Sequence, residues 1–273
     1  MLIGIEKILI SQRPSCVIVF GDTNSTLAGA LAAAKLNIPI VHVEAGERTY
    51  LSTVPEEINR VVCDHIATVN CCPTKLAVSN LKKEGVTTGK FTGDIMLDLF
   101  IRFKNGKVKP PFKFPEKYIL LTIHRAENTS DKFLFKNLIH QINSLNLSVV
   151  WPIHPRSKKI IKLEEFKKLG NVMLIPPVPY SQMLWLEQNA QRIITDSGGV
   201  QKEAYWSEVP CITLSPRTFW KQTLKGNWNQ VIGSDYKSFN KYPLTKAKGK
   251  PRLSEFGDGD AAQKISKAIL KII

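Results

Sequence analysis

The order of short β-branched runs and amphipathic helical stretches predicts an α/β protein of two doubly wound, Rossmann-like domains. Three observations carry that expectation. Strand-like and helix-like segments alternate along nearly the whole chain. The alternation breaks once, over residues 105–117, and then restarts. It also opens on a helix, whereas a doubly wound domain opens on a strand with its phosphate-facing loop. The first domain is therefore expected to be incomplete, truncated at its amino end.

Taken in order, Met1 to Gln12 reads as a helix and Cys16 to Phe20 as a buried strand, followed by the polar turn Gly21 to Thr26. The Ala- and Leu-rich stretch to Lys35 predicts a helix, and Ile38 to Val43 a second strand whose apolar run suits a parallel sheet. Pro55 marks the first turn of a helix over 55–65, because its missing N–H costs nothing there. A strand over 67–70, a helix over 74–84, a short strand over 91–95 and a helix toward Lys104 follow. Prolines and lysines without apolar periodicity make 105–117 a linker. The second series predicts strands at 118–122, 148–152, 172–175, 192–195 and 211–214, the last clear one. Helices are expected between them at 132–145, 158–169, 181–188 and 199–206. Ile265, Ile269 and Ile272 give the tail from Asp260 helical spacing. The expected division is a first domain over 1–104 joined by the helix 260–273, and a second domain over 118–259.

At 273 residues, 43% apolar and 22% charged, the chain has the make-up of an ordinary globular protein with room for two cores. No run reaches the length of a membrane span, and the amino terminus lacks a signal-peptide layout, so no membrane partner is expected. Lysine and arginine number 38 against 23 acidic residues, but they are scattered, with no arginine stripe and no aromatic-interleaved basic motif. Nucleic acid is thus disfavoured, and a basic field equally attracts a diphosphate. The five cysteines are odd in number, and adjacent Cys71 and Cys72 do not have zinc-ligand spacing. Reduced thiols, a cytoplasmic location and no metal site are expected.

Glu44 stands where a predicted strand gives way to a loop, the position from which α/β sheets address ligands. Glu56 stands in the first turn of the following predicted helix, so two carboxylates can converge on one cleft, as general acid–base chemistry requires. The plainer alternative pairs Glu44 with Arg48 and leaves Glu56 and Glu57 to complement a helix dipole. Thr195-Asp-Ser-Gly-Gly199 closes one predicted strand and opens a helix carrying Glu203. Small residues there let backbone N–H groups approach a phosphate, while Glu203 lies within reach of ribose hydroxyls. His124 and Arg125 follow the first strand of the second domain, as His154 follows the next. His124 suits a proton donor or oxyanion stabiliser and Arg125 a diphosphate ligand, unless His124 merely caps the strand and Arg125 pairs with Glu127. His65 and His140 fall inside predicted helices and read as structural.

Gly21-Asp22-Thr23, His42-Val-Glu-Ala-Gly46 with Arg48, and Pro55-Glu-Glu-Ile-Asn-Arg60 occur in this order, followed by His124-Arg-Ala-Glu-Asn128, His154-Pro155, Asp196-Ser-Gly-Gly-Val-Gln201 with Glu203, and Phe256-Gly-Asp-Gly259. The set resembles the non-hydrolysing UDP-N-acetylglucosamine 2-epimerases over essentially the whole chain. That resemblance implies a glycosyltransferase-B type fold, a homodimer, no cofactor, and interconversion of UDP-GlcNAc with UDP-ManNAc through elimination and re-addition of UDP. It implies Asp22, Glu44 and Glu56 as catalytic carboxylates supported by Arg60 and His124. It also implies Ser197, Gly198, Gly199 and Glu203 as the UDP site, with Arg125 and His154 nearby. Met183 falls where an apolar contact to uracil would lie, although a simple core role is preferred.

The match departs in three places. The family's opening strand and Gly-Thr-Arg-Pro-Glu type loop have no counterpart here, which fits either a natural truncation or a start assigned downstream. Two positions acidic in the family's run after Leu214 are Phe219 and Gln222, and Glu47 adds a charge beside Glu44. A degenerate UDP-sugar-binding protein without turnover is the competing expectation. A glycosyltransferase is disfavoured because it would not need carboxylates at 22, 44 and 56 together.

Overall fold

The computed structural model describes residues 1–106, 108–160, 170–233 and 247–273. It divides into two compact units, one made of Met1–Ile101 with Arg252–Ile273 and the other of Arg102–Pro251.

The first unit is a four-stranded sheet in the order β1-β2-β3-β4, every neighbour parallel. Its strands are Val17–Phe20, Ile40–Val43, Val69–Cys72 and Gly89–Phe91. Helices α1 (Leu2–Gln12), α2 (Asn24–Lys35), α3 (Pro55–Ile66), α4 (Lys75–Lys83) and α5 (Ile95–Phe103) alternate with them. One face buries Val19 and Ile40 against Leu9, Ala30, Ala33 and Cys63. The alanines let α2 lie close on the sheet. The opposite face presents Val41, Val43, Val69 and Cys71, all buried under Ala261, Ile265 and Ala268 of the last helix, α11 (Ala261–Ile269). Strand alternation separates these two sets, since successive side chains point to opposite faces.

The Phe256-Gly-Asp-Gly259 motif explains how the tail reaches that face. The Asp94 amide donates to the Phe256 carbonyl at 2.7 Å. A Cβ on Gly257, whose φ is 106°, would lie 2.9 Å from the Gly93 Cα. Only glycine permits that backbone-on-backbone approach. Asp98 then accepts from the amides of Ala261 (3.1 Å) and Ala262 (2.8 Å) and so caps the last helix.

The second unit is a six-stranded parallel sheet in the order β10-β9-β8-β5-β6-β7. The strands are Tyr118–Thr122, Ser148–Pro152, Val172–Ile175, Arg192–Thr195, Cys211–Leu214 and Asn229–Ile232 for β5 to β10. Its helices are α6 (Ala126–Thr129), α7 (Lys132–Asn143), α8 (Pro155–Ile160), α9 (Tyr180–Asn189) and α10 (Gly198–Trp206). The chain winds outward from β5 through β6 and β7, then returns to the other side of β5 and winds through β8, β9 and β10. The order therefore reverses between β5 and β8, and the loops leaving those two strands flank a crevice where open α/β sheets bind ligands. One core packs Phe135, Leu138 and Ile142 against Ile119, Leu121, Val149 and Trp151. The other packs Leu186, Val200 and Ala204 against Leu120, Val150 and Ile193.

Several expectations shift. The strand expected over 67–70 runs over Val69–Cys72, so both adjacent cysteines are strand residues. The strand expected over 91–95 ends at Phe91, because Ile95 already begins α5. A sixth strand, β10, lies beyond the one expected to be last, and the short α6 is not among the expected helices. The helix expected over 158–169 appears as α8, and the remainder of that span lies outside the described residues. Within 105–117, Phe112 and Phe114 pack against the second core, and the Phe114 ring lies 5.8 Å from that of Trp185. Among the described residues no helix is long and apolar enough to cross a membrane, and no group of three or more His, Cys, Asp or Glu side chains could hold a metal ion. All five cysteines are free thiols. Burial pushes Cys71 up to about 11, and Cys63 and Cys211 up to about 12, so these three stay protonated and unreactive.

Candidate active site

In the first unit, β1 ends at Gly21-Asp22 and β2 ends at Glu44, adjacent in the sheet. Glu44 has a φ of 70°, a left-handed conformation that glycine favours and glutamate adopts at a cost of order 1–3 kcal/mol. The bend brings the Glu44 carboxylate over Gly21, where a Cβ would lie 3.7 Å from its Oε1. Arg60, one turn and a half into α3 and 1% exposed, bonds the Asp22 carboxylate and the Glu44 carbonyl, and its Nη2 stands 3.4 Å from Glu44 Oε1. Burial opposes the arginine's charge, yet Asp22 and Glu44 outweigh it and push its pKa above the ordinary value. The two carboxylates keep about a quarter of their side-chain surface open, 21% and 25%. The sequence placed Asp22, Glu44 and Arg60 together, and the fold does so. Glu56 is half-buried at the start of α3 with Oε2 inaccessible.

The plainer pairing of Glu44 with Arg48 does not form. Arg48 is fully buried, bonding Asp64 at 2.6 Å and holding Glu84 through two parallel bonds of 2.8 Å. Asp64 also meets His42 Nδ1 at 2.7 Å and accepts from the Gly46 amide at 3.1 Å. The other His42 nitrogen meets the Gly21 carbonyl at 2.8 Å, so this buried network props the loops after β1 and β2 from beneath. Burial alone would raise the Asp64 pKa, but His42 and Arg48 hold it below its ordinary value. Glu57 is not a mere dipole partner either. It accepts from the Thr49 amide and hydroxyl and from the Tyr50 amide, which ties the 49–50 loop to α3. Gly46 sits at φ 82° with its Cα against α4, where a Cβ would fall 2.6 Å from the Ala77 carbonyl. Asp64 gave no sign in the sequence, because its partners are 16 to 22 residues away.

In the second unit, Asp196 at the end of β8 is 1% exposed and organises the loop after β5. It accepts from the amides of His124 (3.0 and 3.1 Å) and Arg125 (2.9 Å) and from the Asn128 side chain (3.0 Å). His124 Nδ1 lies 3.3 Å from the same carboxylate, so the capping expected of His124 is present. The His124 and His154 rings stand 5.4 Å apart. Ser197 caps α10, accepting from the Val200 amide at 3.5 Å, which leaves the N–H groups of Gly198 and Gly199 at the open first turn. Arg125 comes to 4.0 Å and the Trp220 indole nitrogen to 3.2 Å from the place a Gly198 Cβ would occupy. A guanidinium, an indole N–H and a helix N-terminus thus converge, an arrangement suited to an anion. A cavity of about 180 Å³ adjoins them, lined by His124, His154, Pro177, Val178, Met183 and Ser197 among others. Met183 both lines it and packs against the core, the role preferred for it. Lys202 is fully buried with its ammonium 3.9 Å from the centre of the Trp220 ring, and Phe219 is buried beside it.

Carboxylates at the strand ends of one parallel sheet, and a glycine-opened helix at the switch point of another, define a two-unit Rossmann-like enzyme of the glycosyltransferase-B fold type. The chain belongs to the UDP-N-acetylglucosamine 2-epimerase family, whose model matches residues 1–270. It is 43% identical to a UDP-N-acetylglucosamine 2-epimerase homolog of Methanococcus maripaludis, covering 98% of this chain and 79% of that protein. It is 37% identical to the UDP-2,3-diacetamido-2,3-dideoxy-D-glucuronate 2-epimerase of Pseudomonas aeruginosa, covering all of this chain and 79% of that one. The structure matches that of Methanocaldococcus jannaschii UDP-GlcNAc 2-epimerase in complex with UDP-GlcNAc and UDP, with a TM-score of 0.90, 36% identity and coverage of 99% and 79%.

Proposed function

We propose that this chain interconverts UDP-GlcNAc and UDP-ManNAc. The observation that carries the reading is the pairing of Asp22 and Glu44 on one buried arginine, with Glu44 held in a strained backbone conformation. Two partly open carboxylates a few ångströms apart suit proton transfer at a carbon, and strain at such a position suits a functional rather than a structural role.

The C2 proton of the sugar has no adjacent ketone and is a poor acid, so inversion proceeds by elimination. A carboxylate takes the C2 proton, that C–H pair becomes the C1–C2 double bond of 2-acetamidoglucal, and the C1–O bond breaks with its electrons leaving on UDP. Re-addition returns a proton to the opposite face of C2 while the UDP oxygen rebuilds the bond at C1. Asp22, Glu44 and Glu56 serve as the acid–base groups, Arg60 holds the first two in place, and His124 assists the departing diphosphate. Arg125, His154 and the N–H groups of Ser197, Gly198 and Gly199 bind the diphosphate, Glu203 the ribose and Met183 the uracil. The resemblance to the family also implies a homodimer, and the product suits surface-polysaccharide assembly.

Incubation with UDP-GlcNAc in deuterium oxide tests the reading. Deuterium at C2 of both epimers is the expected result. Retained protium with UDP bound would leave a nucleotide-sugar-binding protein without turnover. Because the Pseudomonas relative is named for a diacetamido glucuronate, the same assay on that substrate decides which sugar is preferred.

A further inference from the structure

Helices α9 and α10 pack side by side, and between them Glu203 has a neighbouring acid, Glu187, to which the proposed chemistry gives no role. Glu187 on α9 is 0% exposed and Glu203 on α10 is 4% exposed. Their carboxyl groups are neighbours within hydrogen-bonding reach, and the Tyr180 hydroxyl, at the start of α9, faces Glu203. Both Glu187 oxygens are sealed from solvent, and no amide or side-chain donor among the described residues reaches them. Ionised carboxylates only accept hydrogen bonds, so two of them side by side in a dry site repel. One proton between them turns repulsion into a bond. The other titratable groups facing Glu187 among the described residues are Tyr118 on β5, Tyr180 and Cys211 on β9. None carries a positive charge. Burial first, then the Glu203 charge, raise the Glu187 pKa well above the carboxylate range, while burial raises those of Tyr180, Tyr118 and Cys211, so all three stay neutral.

We propose that Glu187 is a positioning residue for ribose recognition: as a neutral acid it donates a hydrogen bond that aims the Glu203 carboxylate at the vicinal hydroxyls of the nucleotide. The inference rests on the reading of Glu203 as the ribose contact. Nothing in the helix-forming pattern demands a carboxyl at 187. A leucine or methionine would fill that core position without the cost of burying an acid. As pH rises, loss of the shared proton leaves two like charges in one enclosure, and the aim of Glu203 is lost with it.

The test compares binding of UDP and of 2′,3′-dideoxy-UDP, which lacks both hydroxyls, by calorimetry at pH 7 and pH 9. Glu187→Met is expected to weaken UDP about tenfold at pH 7, the worth of one charged hydrogen bond, and to leave dideoxy-UDP unchanged. Glu187→Gln keeps a donor facing Glu203. It is expected to bind UDP within about twofold of the parent at pH 7. It is also expected to lose less affinity than the parent between pH 7 and pH 9. Titration of the uracil ring is common to all variants and cancels in that comparison. A general packing defect would weaken both ligands alike and overturn the proposal. So would a parental ratio of the two affinities in both Glu187 variants at both pH values, provided Glu203→Gln lowers the ratio. If Glu203→Gln leaves the ratio unchanged, the ribose reading of Glu203 itself has failed and the inference falls with it.

Discussion

The two units build their loops by opposite means. The first sets charge against charge below the surface: Asp64 between His42 and Arg48, and Arg60 between Asp22 and Glu44. The second uses one buried carboxylate, Asp196, to collect backbone N–H groups, and leaves further N–H groups open at a capped helix. The contrast fits the work proposed for each. In the proposed chemistry Asp22 and Glu44 exchange protons with the sugar, which suits oxygens left partly open above a buried arginine. The proposed anion cradle instead needs fixed donors, which the first-turn amides of α10 and the Trp220 indole N–H supply beside the Arg125 guanidinium.

Catalytic substitutions test this contrast with the largest effect. Asp22→Asn, Glu44→Gln and Glu56→Gln are each expected to lower kcat by about 10²–10⁴-fold with UDP affinity nearly unchanged. Equal losses in both, measured by turnover and calorimetry, would assign these carboxylates to folding instead. Next comes the buried network. Asp64→Ala removes the carboxylate that joins His42 to Arg48, leaving Arg48 with Glu84 and His42 with the Gly21 carbonyl, and is expected to cost about 3 kcal/mol in chemical denaturation. Because the Asp64 pKa lies below its ordinary 3.8, its contribution is complete above that value and drains away as pH falls further. The parent should therefore show an acid-unfolding limb that the variant lacks, and a shared limb would mean that Asp64 is not what anchors the first unit. The smallest effect sharpens the other half. Ser197→Ala removes the cap of α10 and is expected to cost about 1 kcal/mol of stability, with a parallel weakening of UDP. A loss in stability alone would show that the first turn holds its shape without the hydroxyl.

How much of this was legible beforehand depends on whether the cause is local. Five strands of the second unit, from Tyr118–Thr122 to Cys211–Leu214, read at their observed bounds because each is an apolar β-branched run flanked by turn residues. β10 did not, because Asn229 and Gln230 break the apolar run. Asn229 is buried by bonds to Thr213, Thr223 and Gln201, which no local pattern announces. In the site, Asp22 and Glu44 were readable as motif residues at strand ends, and Arg60 as one within the helix that follows. The left-handed turn at Glu44 was not, since glutamate gives no hint of it. Nor was the choice of Arg48, whose partners Asp64 and Glu84 are set by the packing of α3 and α4. The Asp196 carboxylate looked like part of a phosphate loop and proved to be the anchor of another loop, 71 residues away. Pairing across such separations is decided by topology.

One consequence concerns synthesis. Residues 102–251 fold within one unit, whereas the first needs residues from both ends of the chain. On the ribosome, Val41, Val43, Val69 and Cys71 lack the cover of Ala261, Ile265 and Ala268 until that helix emerges. The sheet that leaves the exit tunnel first is therefore the last to close, and translation that stops before residues 261–268 releases a finished second unit tethered to an open, sticky first one.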